Sequence, residues 1–293
     1  MSIERAPVVV GVDESPGTDL TLMWAIEEAR SRGVPIRLVY AYGAALTYSA
    51  VPIYGNLPVP ELPYVRGVAA QLLARAVARV HELAADLEVD SAAVGDDAAL
   101  ALIDESARAC TVVLGSRHLG AAGSVLLGSV GAAVSARADC PVVVLRGLAG
   151  LAAEHPGVVV GVDGKLGSEA VIGYAFDYAS RRDVPLHAVL CWHPDLLAEM
   201  MWRAEPPAPA LADLWLAEAL AGWQEKYPDV VVHSGVVRDH PVTGLVAAST
   251  AQHLLVVGTR GRSPLVGTIL GSVSQGVLHH ATCPVAVIPS PVA

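Results

Sequence analysis

Leu254-Leu255-Val256-Val257-Gly258-Thr259-Arg260-Gly261, followed after nine further residues by Gly271-Ser272-Val273, decides how this chain folds. The apolar run reads as a buried strand, the glycines as a loop, and Gly271-Ser272 as the start of a helix. A helix start leaves backbone N–H groups without intrahelical partners; here they would face the loop, a geometry suited to a phosphate chain. Gly258 and Gly261 let the backbone take a positive φ and approach a ligand with no Cβ in the way. Ser272 adds a hydroxyl where the helix dipole is already positive. The plainer alternative is a strand-helix connection in which glycine only turns the chain, but a nine-residue excursion is longer than most such connections.

The same pattern occurs earlier, because the chain repeats itself. Val8-Val9-Val10-Gly11-Val12-Asp13 returns as Val158-Val159-Val160-Gly161-Val162-Asp163, 150 residues on. Leu114-Gly115-Ser116-Arg117 returns as Val257-Gly258-Thr259-Arg260, Gly128-Ser129-Val130 as Gly271-Ser272-Val273, and Cys140-Pro141-Val142 as Cys283-Pro284-Val285, each 143 residues on. The 293 residues therefore divide into a first domain at 1–146, a linker of Gly, Ala and Pro156 at 147–156, and a second domain at 157–293.

In the first copy the periodicity predicts strand 8–13, helix 18–32 stopped by Gly33, strand 36–42, helix 64–88, strand 91–95, helix 98–109, strand 111–115, helix 128–138 and strand 141–146. In the second it predicts strand 158–163, helix 168–182, strand 186–192, helix 211–226, strand 230–237, helix 242–252, strand 254–258, helix 272–281 and strand 284–289. Two stretches, 43–63 and 193–210, show no clear period and suit a lid or a partner surface. Strand alternating with helix, with Val-rich strands and Ala-rich helices, argues for an α/β fold: two tandem doubly wound domains, each with a five-stranded parallel sheet. Ligands of such sheets bind beyond the carboxyl ends of the strands where strand order reverses. Asp13 and Gly115 belong on that edge.

Composition removes several function classes. The net charge of −10 repels a nucleic-acid backbone, so any anionic ligand must be held by local features such as Arg260, Arg262 and the helix start. The hydrophobic fraction is 53% and the mean hydropathy +0.49, yet no uncharged apolar run reaches the roughly 18–20 residues of a spanning helix, which argues against a membrane protein. Glu4, Arg5 and Pro7 stand where an export signal would place its apolar region, so a cytoplasmic protein is expected. Cys110, Cys140, Cys191 and Cys283 form no CxxC pair and read as buried reduced thiols, with no metal site expected.

These residues resemble a tandem universal stress protein. The likeness rests on the V-V-G-V-D opening of both halves, the L-G-S-R and V-G-T-R-G loops, the G-S-V helix starts and the C-P-V final strands. It implies five-stranded domains of the adenine nucleotide alpha hydrolase-like type, many of which bind ATP, with Mg²⁺ as a plausible counter-ion. Carried over position by position, Asp13 and Asp163 would sit beside the adenosine. The main chain at Ala41 and Cys191 would meet the adenine edge, and Gly11 and Gly161 would end the strands beneath it. Gly115, Ser116, Arg117 and His118, with Gly258, Thr259, Arg260 and Gly261, would border ribose and phosphates. Gly128, Ser129 and Val130, with Gly271, Ser272 and Val273, would grip the triphosphate. The alternative for each Asp is an ordinary carboxylate at a helix start, satisfied by backbone donors.

The first half departs from the pattern at His118, which stands where the second loop glycine would be, so a positive φ there would be strained unless Gly120 takes the turn. The C-terminal site is accordingly expected to bind at least as tightly as the N-terminal one. No G-x4-G-K-[ST], G-x-G-x-x-G, HExxH or G-x-S-x-G is present, and Ser129 and Ser272 have no predictable His/Asp partners. The leading expectation is an ATP-binding regulator of stress adaptation or growth, forming a homo-oligomeric dimer and acting on a regulatory protein partner. The alternatives are a slow ATP hydrolase or nucleotidyl-transfer enzyme, and an interaction scaffold that binds no nucleotide.

Overall fold

Valine decides both sheets. In a computed structural model, Val8–Gly11 (β1) and Val158–Val162 (β6) lie at the centre of their sheets, with Val8, Val9 and Val10 and Val158, Val159 and Val160 fully buried. β-branched side chains suit strands covered by helices on both faces, and each fully buried Val stabilises by about 1.5–2 kcal/mol. The structure describes residues 5–15, 17–43, 62–118, 125–126, 128–146, 156–163, 168–192, 209–259 and 270–289. The chain divides into two compact units, Met1–Leu145 and Arg146–Ala293.

The first unit continues with Thr18–Arg32 (α1), Ile36–Ala41 (β2), Leu62–Leu83 (α2), Val89–Val94 (β3), Ala98–Ser106 (α3), Thr111–Gly115 (β4), Ser129–Arg137 (α4) and Val142–Leu145 (β5). Its strands pair in parallel in the order β3-β2-β1-β4-β5. The second unit follows β6 with Glu169–Arg182 (α5), Leu186–Cys191 (β7), Pro209–Leu220 (α6), Trp223–Lys226 (α7), Val232–Val237 (β8), Pro241–Ala248 (α8), Leu254–Gly258 (β9), Ser272–His280 (α9) and Val285–Ile288 (β10). Its order is β8-β7-β6-β9-β10, again all parallel. In both units the winding reverses between the first strand and the fourth, which opens a crevice at their carboxyl ends.

One predicted element divides. The helix expected at 211–226 is two helices, because Gly222 takes φ 78° between them. Trp223 then stacks on Phe176 and Tyr227 at 5.7 and 6.3 Å, so this tryptophan packs α7 onto α5. α1 ends where expected, at Gly33 with φ 64°, and its counterpart α5 ends at Asp183 with φ 52°. The stretches 44–61 and 193–208 and most of the expected linker lie outside the described residues.

Candidate functional site

The crevice of the first unit lies between β1, ending at Gly11, and β4, ending at Gly115; Gly11 is the register partner of Leu114. A Cβ at Gly11 would come within 2.7 Å of Leu114 Cδ2, and one at Gly161 within 3.0 Å of Leu245 Cδ1. Both glycines are thus explained by packing between strand and helix. Gly115 is exposed, and a Cβ there would meet Thr21 Oγ1 at 2.8 Å. A positive φ was expected at Gly258; among the described glycines only Gly33 and Gly222 have one, so Gly258 does not use a left-handed backbone.

Two residues past β1, Asp13 Oδ1 accepts the Ser15 N–H at 3.0 Å and the Thr18 hydroxyl at 3.2 Å. At the matching position Asp163 Oδ1 accepts the Ser168 hydroxyl at 2.8 Å. Local donors therefore hold one oxygen of each carboxylate, as the plainer reading of these aspartates requires, and fix its direction at the crevice. The spacing D-x4-[ST] stands in both copies of the sequence, yet sequence reasoning missed Thr18 and Ser168. Ala41 and Cys191 end β2 and β7, and the next residues tie to the neighbouring strand through Tyr42 N–H to Val94 O at 2.9 Å and Trp192 N–H to Val237 O at 2.8 Å. Burial, and after it the Asp239 carboxylate, push the Cys191 thiol up to about 11, which keeps it protonated.

After β4, the Ser116 N–H donates to Leu145 O at 3.0 Å, and after β9 the Thr259 N–H donates to Ile288 O at 2.9 Å. Ser116 is buried, and its Oγ has no hydrogen-bond partner among the described residues. An orphaned buried hydroxyl costs about 1–3 kcal/mol unless a further group satisfies it. Arg117 and His118 form a two-residue antiparallel ladder with Leu126 and Val125. The backbone at His118 is extended there, so the strain that a positive φ would impose on this residue does not arise. Gly120, Arg260, Gly261 and Arg262 lie outside the described residues.

The helix starts are the most closely repeated feature. Gly128 caps α4 with φ −66° and ψ 155°, Gly271 caps α9 with φ −62° and ψ 150°, and neither start has a side-chain cap hydrogen bond. Ser129 and Ser272 are exposed, Val130 and Val273 half-buried. A Cβ at Gly128 would meet nothing within 4 Å among the described residues, and its backbone is open to any L-residue. Packing against the described residues thus gives no reason for glycine here.

The two units differ in how firmly this helix is held. In the second, Gly271 N–H donates to Thr259 O at 2.7 Å, and the Ser274 hydroxyl makes a short hydrogen bond to Gly258 O. The residue matching Ser274 in the first unit is Gly131, which cannot make the second bond. Among the described residues no group of three or more His, Cys, Asp or Glu side chains could hold a metal ion, and no helix is long and apolar enough to cross a membrane.

Comparison with known proteins agrees with this architecture. The family model described as universal stress protein family matches residues 4–146 and again 157–289. A universal stress protein of Mycobacterium tuberculosis is 39% identical over 287 residues, which cover 96% of both chains. The crystal structure of a universal stress protein from Archaeoglobus fulgidus superposes with a TM-score of 0.69 at 18% identity, covering 96% of this chain and 98% of that one. Another structure from that organism, a universal stress protein in complex with dAMP, aligns over 48% of this chain at 23% identity and a TM-score of 0.36; the bound dAMP is a property of that protein.

Proposed function

The chain belongs to the universal stress protein family, and from that premise we propose that each unit holds an adenine nucleotide, ATP, at the carboxyl edge of its sheet, where its occupancy sets the conformation or partner choice of a cytoplasmic regulator of stress adaptation or growth. The observation that carries the proposal is the pair of glycine-started helices, uncapped by any side chain and repeated to within a few degrees of backbone. Free N–H groups and a positive helix end recognise phosphate without a reactive side chain. Open space at Gly128 and the orphaned Ser116 Oγ fit a group that the protein alone does not supply. Main chain at Ala41 and Cys191 would meet the adenine, and Asp13 and Asp163 the ribose. Mg²⁺ would ride on the phosphates, since no cluster among the described residues would hold it alone.

The second site is the better organised, because Gly271 and Ser274 fasten α9 to the end of β9. It should bind at least as tightly as the first. Denaturing purified protein and chromatographing the supernatant should release adenine nucleotide. In calorimetry the intact chain should take up two equivalents, and Gly128→Leu or Gly271→Leu should each remove one. Loss of all binding from Gly128→Leu alone would overturn the ranking of the sites. A folded protein that neither carries nor takes up adenine nucleotide at millimolar supply would sink the proposal.

A further inference from the structure

Three positions that carry charged side chains in the first unit carry histidine in the second. By the 150-residue offset Arg37 matches His187, and by the 143-residue offset Asp90 matches His233 and Asp97 matches His240. The first two are partners across a parallel register: Arg37 lies opposite Asp90 on β2 and β3, and His187 opposite His233 on β7 and β8. In the first unit Arg37 pairs with Asp90 and makes a bidentate contact with Glu105 at 2.8 and 2.9 Å, so opposite charges meet. In the second unit the two imidazoles stack with centroids 5.0 Å apart. The third position caps a helix. Asp97 accepts the N–H groups of Ala99 and Leu100 at 2.8 and 3.3 Å, whereas His240 Nδ1 accepts the Val242 N–H at 3.3 Å.

These exchanges move the response to acid from the carboxylate range up to the histidine range. A proton on each of two stacked rings puts like charges face to face. Burial, and after it His233, pull His187 below its ordinary 6.5. The folded unit therefore binds this proton less readily than the unfolded chain does. Its contribution is complete above about pH 6.5 and is lost as pH falls below that value.

Among the described residues little offsets this. β6 presents Val159 opposite His187, and α8 carries no charged side chain. On α5, Glu169 is in the first turn, Arg181 turns to Asp177 and Arg182 lies over Tyr178. α6 carries Asp213 and Glu218, Asp229 takes the Ser180 hydroxyl, and Lys226 lies over Trp223. Against the His187 ring sits Gly157, whose O accepts the His253 backbone N–H. Of all these groups His233 is the one that acts on His187. Beside His240, the Asp239 Oδ1 is taken by the His240 backbone N–H at 2.6 Å and Arg238 lies over Trp192, while α9, packed on α8, ends in His279 and His280.

We propose that the second unit is an acid-responsive half, loosened through the stacked pair His187 and His233 by a fall in pH that leaves the first unit intact. The sequence divides its histidines accordingly: His81 and His118 lie in the first unit and the other eight in the second. The inference concerns the stability of one unit and stands whether or not either unit holds a nucleotide.

The test is hydrogen exchange read by mass spectrometry on the full chain at pH 7.5 and 5.5, corrected for intrinsic exchange. Protection of Leu186–Cys191 and Val232–Val237 should fall about fivefold on acidification, while Ile36–Ala41 and Val89–Val94 change less than about twofold. A chain carrying His187→Arg and His233→Asp should lose the response, and Arg37→His with Asp90→His should confer one on the first unit. Equal loosening of both units in the unaltered chain would overturn the proposal. So would a response that survives in a folded double variant, or in the milder His187→Gln, His233→Gln chain should the first fail to fold.

Discussion

Asp13 and Asp163 show how a site residue can be legible in type and illegible in setting. Their position after a Val-Gly-Val run was readable, but the hydroxyls that hold them, Thr18 and Ser168, lie five residues on at a helix start. If Asp163 orients the ribose, Asp163→Ala should weaken nucleotide binding about tenfold and Ser168→Ala about threefold, with the far-UV spectrum unchanged; one net hydrogen bond is worth about 0.5–1.5 kcal/mol. Calorimetry reads both. The cysteines yield to a different measurement. Burial, helped by Cys110, pushes Cys140 up to about 12, and burial pushes Cys283 up to about 11. At pH 8 the thiolate fraction of Cys140 is on the order of 10⁻⁴, so iodoacetamide should spare Cys140 and Cys283 in the folded chain and label both in urea. At Asp183 an aspartate occupies the left-handed conformation that Gly33 fills in the first unit. Asp183→Gly should raise the unfolding free energy of the second unit in urea by about 0.5–1 kcal/mol, because the Cβ penalty of that conformation disappears.

At the scale of elements, the central strands such as Val158–Val162 were readable because burial on both faces leaves an apolar run, whereas the edge strands Val89–Val94 and Val232–Val237 are largely exposed and carry polar residues between their valines. Helices were readable where a face repeats. The division at Gly222 was not, since helix-forming residues flank it and only the stacking of Trp223 on Phe176 explains why the chain turns there. Helix α3 is begun by Asp97, which accepts two backbone amides at once. Asp97→Ala should therefore lower the stability of the first unit by about 1 kcal/mol in urea denaturation at pH 7, and Asp97→Asn by much less. The tie between Ser274 and Gly258 escaped sequence reading for a plainer reason: its partner is a backbone carbonyl 16 residues away, and nothing in a side-chain pattern announces an acceptor on the main chain.

At the scale of the whole molecule, duplication preserved the winding of the sheet and let the charges at corresponding positions drift. Glu28, fully buried on α1, pairs with Arg32 at 2.6 Å, while at the matching positions of α5 Arg182 lies 4.6 Å over the Tyr178 ring. Such exchanges were present in the aligned halves from the start; what could not be read without coordinates was that Arg37 and Asp90, and likewise His187 and His233, face each other across a register. Two imidazolium rings 5.0 Å apart repel by about 1 kcal/mol even at a water-like dielectric, and solvent screening keeps the figure from being larger. For a unit of this size, 1 kcal/mol corresponds to a fall of about 3 °C in Tm. Trp24 is the first unit's tryptophan and Trp192, Trp202, Trp215 and Trp223 belong to the second, so fluorescence of a Trp24→Phe chain follows the second unit alone. Between pH 7.5 and 5.5 few ordinary carboxylates titrate, which leaves histidine as the group that changes charge. The fluorescence midpoint should fall by about 3 °C over that interval, and His187→Arg with His233→Asp should remove most of the fall.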